Sequence, residues 1–174
     1  CIRDRSIGHE IENNRIQLIL REPHHLSLTM YIKITELTHL TIGADNPYTN
    51  FVLTTAPLNN EDFEKILQNL KSVTENNLKV KINDTDPASF VQWKWPDSQV
   101  LRSRFNNTAM EIITDKTNHF HEEPIEVHAE LVTDKFIESA QLVNTKIFGK
   151  ILLVWYRPEQ SWLFTDSDAP KVKF

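Results

Sequence analysis

After the segment Glu22-Pro23-His24-His25 the chain alternates without a break: Leu26, Leu28, Met30, Ile32 and Ile34 are apolar, and Ser27, Thr29, Tyr31 and Lys33 stand between them. Side chains of an extended strand point to opposite faces in turn, so this run puts all its apolar groups on one side. A helix would scatter the same residues around its circumference. Upstream, Ile16, Leu18 and Leu20 repeat the pattern with Gln17 and Arg21 facing away. Two such strands joined by a short polar turn predict an N-terminal β-hairpin with one face that must be covered. The segment 41–47 (TIGADNP) reads as the loop that closes this region, residues 14–47, and a main domain is expected to follow over 48–158.

From Tyr48 onward strand and helix signals take turns. Phe51-Val52-Leu53 reads as a short strand. Pro57 announces a helix capped by Asn59 or Asn60, with Glu61 and Asp62 in a first turn that favours acids and Phe63, Ile66, Leu67, Leu70 and Val73 on one face. Leu78, Val80 and Ile82 predict the next strand. Leu101, Phe105, Ala109 and Ile112 recur at near-helical spacing, although Asn106-Asn107-Thr108 weakens a helix and Met110 and Ile112 also fit alternation. Ile125, Val127, Ala129 and Leu131 alternate. A third helix is expected over Phe136, Ile137, Ala140 and Val143, opened by Thr133. The stretch 147–156 is apolar at its centre, like a buried interior strand. Residues 48–158 therefore read β-α-β-α-β-α-β. The expected class is α+β, a mixed sheet with helices on one face, preceded by the hairpin. Residues 1–13 read as a polar tether and 159–174 as a tail. With 174 residues, 40% of them apolar and 25% charged, the chain is long enough for one domain with a real core.

Its single cysteine, Cys1, stands first, where an initiator Met is expected. Such a chain is expected to have been processed or cut. Bacterial lipoprotein maturation leaves a Cys there and lipidates it, so Cys1 is expected to be a lipid anchor, unless the chain is simply a cut piece. One acyl chain binds a membrane only marginally, and two or more hold it firmly. Ile2 is not the Asp that tends to mark inner-membrane retention, which favours the periplasmic face of the outer membrane. One Cys excludes an intramolecular disulfide and a multi-thiolate metal site.

Other exclusions follow from composition. A net charge of −5 with scattered Lys and Arg argues against nucleic acid as a partner. Three glycines, Gly8, Gly43 and Gly149, cannot form a P-loop or a GxGxxG cradle. No GxSxG elbow or HExxH pair exists, so no enzyme is expected, and no cofactor. His119, His121 and His128 with Glu126 admit a zinc reading. Glu126, His128 and Glu130 also fit the wet face of a strand whose Ile125, Val127 and Ala129 face inward, and that reading is preferred. The paired acids Glu122-Glu123 before Pro124 read as solvent-facing loop residues.

The strand 77–82 (NLKVKI) ends in Asn83-Asp84-Thr85-Asp86, and the helix VLRSRFNNTAMEII carries Arg102 and Arg104. With the order of elements around them, these residues resemble the OmpA-like domain, the peptidoglycan-binding module of bacterial outer-membrane proteins and lipoproteins. There the strand ends in Gly-His-Thr-Asp and the helix opens with Asn-x-x-Leu-Ser-x-x-Arg-Ala. Here the Thr-Asp is kept as Thr85-Asp86, Arg104 stands at the family's Arg, and Phe105 replaces its Ala. The Gly-His, Asn and Ser are absent, and Pro87 stiffens the loop. The resemblance implies a ligand site for peptidoglycan formed by Asp86 and Arg104, with Thr85, Asp84 and Arg102 as neighbours. An acid and a guanidinium suit the ammonium and carboxylate of diaminopimelate, because the planar fork of Arg donates two parallel hydrogen bonds to a carboxylate.

Between that turn and helix lies Phe90-Val91-Gln92-Trp93-Lys94-Trp95-Pro96. If extended, Val91, Trp93 and Trp95 share one face, either closing the core as a local strand or offering Trp93 and Trp95 as anchors at a protein interface, where Trp is enriched. The expected function is an outer-membrane lipoprotein that anchors to peptidoglycan, serves as a structural component of a trans-envelope assembly, or both. Accessory lipoproteins of this resemblance occur in type IV secretion systems of the Dot/Icm kind. The alternative is a periplasmic immunity lipoprotein that binds and blocks a toxin.

Overall fold

The hairpin forms as the alternation requires up to Ile32; Ile34, the last apolar residue of the run, instead opens a helix, and the expected loop 41–47 is helical as far as Gly43. The computed structural model describes residues 14–114, 122–143 and 145–158. The tether 1–13 with Cys1, the pair His119 and His121, and the tail 159–174 lie outside them. Strand β1 (Arg15–Glu22) pairs antiparallel with β2 (His25–Ile32), from Arg15 opposite Tyr31 to Leu20 opposite Leu26, with an irregularity between Leu20 and Glu22. Leu28, Met30 and Ile32 are wholly buried.

The hairpin is the middle of the main sheet rather than a unit before it. In the order β5-β6-β2-β1-β8, β5 is Val91–Lys94, β6 (Ile125–Val132) runs antiparallel to β2, and β8 (Leu152–Tyr156) runs parallel to β1. A second sheet has the order β4-β3-β7, with β3 at Lys79–Ile82, β4 at Ala88–Ser89 and β7 at Ala140–Val143. The class is α+β with a mixed main sheet. The boundary placed near residue 48 does not divide the core: Ile16, Leu18, Leu28, Met30, Ile34 and Leu37 before it share one buried cluster with Phe51, Val52, Phe63, Phe105 and Val127 after it.

Helix α1 (Ile34–Thr38) continues into a wider π turn at His39–Gly43 and then α2 (Tyr48–Thr55). The segment Phe51-Val52-Leu53, expected as a strand, is helical. Pro47 starts it with φ −55°, Phe51 N donates to Pro47 O at 3.0 Å, and Ala56 N donates to Val52 O at 2.9 Å. Three apolar residues carry no period of their own, so packing decides. Phe51 and Val52 turn inward, and the Phe51 ring lies 6.5 Å from Phe105. At Gly43 a Cβ would run into the Phe51 ring.

Helix α3 (Asn60–Asn77) begins as predicted. Asn59 accepts a hydrogen bond from Asp62 N at 2.9 Å and donates to Asp62 Oδ2 at 2.8 Å. Helix α4 (Ser98–Thr114) resolves the ambiguity of that stretch, with Leu101, Phe105, Thr108 and Ala109 on its buried side. Phe63 of α3 meets Phe105 edge-on at 5.3 Å. One core joins these rings to the inner face of the hairpin.

Two further expectations are overturned. No helix covers Phe136 to Val143. Instead β7 pairs with β3, and the segment before it crosses the hairpin turn, with Ile137 N bonded to Pro23 O at 2.7 Å and Thr133 N to His24 O at 3.0 Å. The stretch 147–156 is not an interior strand. After a 3-10 turn at Thr145–Phe148 and Gly149 at φ +62°, β8 closes the edge of the sheet, with Trp155 73% exposed. The series β-α-β-α-β-α-β is therefore replaced, from Tyr48, by α2-α3-β3-β4-β5-α4-β6-β7-β8, where β5 is Val91–Lys94.

Candidate functional site

The residues singled out around the eroded motif do not meet. Asn83 and Asp84 have φ 49° and 59°, and Thr85 N donates to Ile82 O at 2.9 Å, which makes 82–85 a type I′ turn. Asp84, Thr85 and Asp86 are exposed there. Arg104 pairs with Glu123 Oε2 at 2.5 Å and not with Asp86. Arg102 reaches the carbonyls of Leu58 at 2.8 Å and Asn59 at 3.1 Å while its guanidinium lies 4.2 Å from the centre of the Phe63 ring. It ties α4 to the loop that opens α3. The motif residue with the most partners is Asn83, which sequence reasoning passed over. Its amide donates to Phe136 O at 2.5 Å and accepts from Glu138 N at 2.9 Å and Ser139 N at 3.0 Å.

Trp93 and Trp95 are committed as well. The register of β5 against β6 slips by one residue between Val91 and Lys94, with Gln92 at φ 54°, so a bulge breaks the alternation. Val91 is left half exposed, and the two indoles turn to stack at 6.3 Å. Trp95 Nε1 donates to Glu75 of α3 at 2.9 Å, and Trp93 Nε1 to Phe90 O at 3.2 Å. Both pack against the core. Val91–Lys94 is thus a local strand beside the core, and both indoles are half-buried.

Glu126, His128 and Glu130 do line the outer face of β6, with Ile125, Val127 and Ala129 buried behind them. His128 lies 3.3 Å from Glu126 and 3.2 Å from Thr29. Glu130 accepts from Ser27 Oγ at 2.6 Å and lies 2.8 Å from His25 Nε2. Burial alone would raise the Glu130 carboxyl, but Ser27, His25 and the nearby Arg21 outweigh it and hold it below the ordinary range. Among the described residues no group of three or more His, Cys, Asp or Glu side chains could hold a metal ion.

Glu122 is not a solvent residue. It is 8% exposed, accepts from Thr35 N at 3.0 Å and also bonds the Thr35 hydroxyl. It thereby caps α1, whose own N-cap position, Lys33, supplies no side-chain acceptor. Burial pushes its carboxyl up. Tyr48, whose hydroxyl meets Thr35 Oγ1 at 2.7 Å, is pushed by burial to about 12.

Among the described residues lies an apolar cleft of about 1060 Å³. Its floor is the inner side of the hairpin, Ile16, Leu18 and Leu26. One wall is Phe136, Ile137, Ala140 and Leu142, and the other is Ile151, Leu153 and Trp155. It exists because β7 ends one sheet and β8 ends another, and no ladder joins them among the described residues. Glu138 and Arg157 are the charged groups along it. Phe136 is 65% exposed and Leu153 37%. The volume is at the upper end for small-molecule pockets, and the walls offer burial of apolar surface rather than a reactive group. No helix among the described residues is long and apolar enough to cross a membrane. Comparison with known proteins returns no matching family model, no similar curated protein and no similar solved structure.

Proposed function

We propose that the protein is a non-catalytic structural component of a bacterial envelope assembly. In this reading Cys1 is lipidated and holds it at the periplasmic face of the outer membrane, and the cleft between β7 and β8 seats an apolar segment of a partner protein. The observation that carries the reading is the cleft itself, with Phe136, Leu153 and Trp155 turned partly to solvent along it. Fully burying one such side chain contributes about 1.5–3 kcal/mol, so a segment that covers several has a sufficient driving force without any charged contact. Exposed apolar patches of this kind on a folded chain mark interaction sites more often than reactive ones. The peptidoglycan half of the expectation has weaker support, since Arg104 is engaged by Glu123.

The test is site-specific photocrosslinking in cells, with a benzophenone amino acid at Leu142 in the cleft or at exposed Gln99 on α4. One envelope protein crosslinked from position 142 but not from 99, and lost in Leu153→Asp, supports the reading. Equal crosslinking from both positions, or none from 142, sinks it. A single soluble partner held one to one, with no envelope complex, would instead favour the toxin-blocking alternative. Labelling of Cys1 with palmitate, absent in Cys1→Ser, tests the anchor separately.

A further inference from the structure

We infer that two copies of the chain associate through β8, edge to edge and antiparallel about Val154, joining two five-stranded sheets into one. Sheet edges expose unpaired N–H and C=O groups and are normally guarded. Among the described residues the two sheets have four edges, and three of them are guarded or short. β5 has the bulge at Gln92 and carries Lys94, β4 has two residues, and β7 has four, including Gln141. β8 has five residues, Leu152-Leu153-Val154-Trp155-Tyr156, with no charge, no Pro, no Gly and no register break against β1. Leu152 is 43% exposed, Trp155 73% and Tyr156 46%.

The occupant is argued from the pattern of the strand. Its first half is aliphatic and its second half aromatic. Antiparallel pairing about Val154 sets Leu152 opposite Tyr156 and Leu153 opposite Trp155 of the other copy, twice each. Apart from the central pair of Val154 with itself, every cross-strand pair is then aliphatic with aromatic, and directly opposed residues share a face. Beyond the strand Ile151 meets Arg157 and Lys150 meets Pro158, so no like charges stand directly opposite. The chain's net charge of −5 therefore has no carrier at the contact. The contact shares Leu153 and Trp155 with the cleft wall, but it is read from the mass of the purified chain alone and the partner segment from crosslinking to another protein, so the two readings fail separately.

A five-residue strand pair is smaller than a standard stable interface, so the dimer is expected to be weak, with mass rising over roughly 1–200 µM. The experiment is sedimentation equilibrium on the full chain carrying Cys1→Ser, which removes the only thiol able to link two copies. The expected result is a mass that rises from 20.3 kDa towards twice that value. Leu152→Lys with Tyr156→Lys places like charges opposite each other at both ends of the contact and should leave a monomer. Leu152→Lys with Tyr156→Glu places opposite charges at the same positions and should restore the dimer. Both double variants alter the same two exposed sites, and circular dichroism checks that each is folded. A wild-type chain that stays monomeric throughout, or the same mass for both double variants, overturns the inference.

Discussion

Asn83 clamps the wall of the cleft, and its removal should be measurable in parts. Its side chain makes three hydrogen bonds to the 136–139 segment. All are solvent-accessible, so each contributes near the low end of the usual net range, about 0.5 kcal/mol and about 1.5 kcal/mol together. Its backbone sits at φ 49°, where a Cβ without a local polar partner costs about 1 kcal/mol. Asn83→Gly loses the bonds but keeps the conformation, so it should cost about 1.5 kcal/mol; Asn83→Ala loses both, about 2.5 kcal/mol. Asn83→Asp keeps the acceptor for Glu138 N and Ser139 N but turns an oxygen towards Phe136 O, and should fall near the Gly variant. With a urea slope of about 2 kcal/mol/M, the midpoints should drop by about 0.7 M for Gly and about 1.2 M for Ala. Hydrogen exchange should localise the loss to 136–143 and β3. An Asn83→Gly variant as stable as wild type would refute the clamp, and an Ala variant more stable than Gly would refute the left-handed turn.

Substitutions at three further residues test the core and the caps. Phe105→Ala removes the wholly buried ring that touches Phe51 and Phe63, and should cost about 3–5 kcal/mol in denaturant unfolding; a cost below about 1 kcal/mol would mean α2, α3 and α4 do not meet there. Arg102→Ala should cost about 1–2 kcal/mol through two lost carbonyl bonds and the Phe63 stack, and Arg102→Lys should recover less than half of it, since Lys lacks the planar fork. For Glu122 the folded state holds its proton more tightly than the unfolded chain. Its contribution is therefore complete below the ordinary carboxylate range and is lost as pH rises through its raised value. Glu122→Gln should flatten the fall in stability on that side, as seen in melting temperature against pH; an unchanged slope would place the titration elsewhere.

The parts of the fold that were legible in the sequence are those with a long period. The hairpin, α3 with its Asn59 cap, and β6 each extend over enough residues for alternation or helical spacing to be unambiguous. The three residues of Phe51–Leu53 and the four of β7 are too few for that, and the partner decided them: the Phe105 ring for the first, β3 and Asn83 for the second. The stretch 151–156 looks like a buried strand because composition reports apolar character and not the neighbour on each side. Whether such a strand is interior or edge depends on what pairs with it from elsewhere in the chain. The cleft was invisible for the same reason, being a gap between two strands that belong to different sheets. Glu122 left one trace, since α1 begins after Lys33 with no side-chain acceptor of its own, and an acceptor had to come from elsewhere.

The cell-wall reading can be brought to a decision at Arg104. Its guanidinium is the group that would hold the diaminopimelate carboxylate, yet Glu123 already occupies it at 2.5 Å, and Asp86 lies exposed in a turn without contacting it. Glu123 is itself largely exposed, so this pair is worth no more than about 1 kcal/mol. Occupation on that scale would weaken a ligand only several-fold. If Arg104 were a binding group, Glu123→Gln would therefore raise binding to purified sacculi several-fold, while Arg104→Ala and Asp86→Ala would each abolish it. The expected outcome is different: binding no stronger than to a control polysaccharide in wild type and unchanged in all three variants. The contrast between Glu123→Gln and Arg104→Ala is the decisive comparison, because both break the same ion pair and only one keeps the cation. Binding that rises in the first and vanishes in the second would restore Asp86 and Arg104 as a ligand site and make the cleft a second, independent surface.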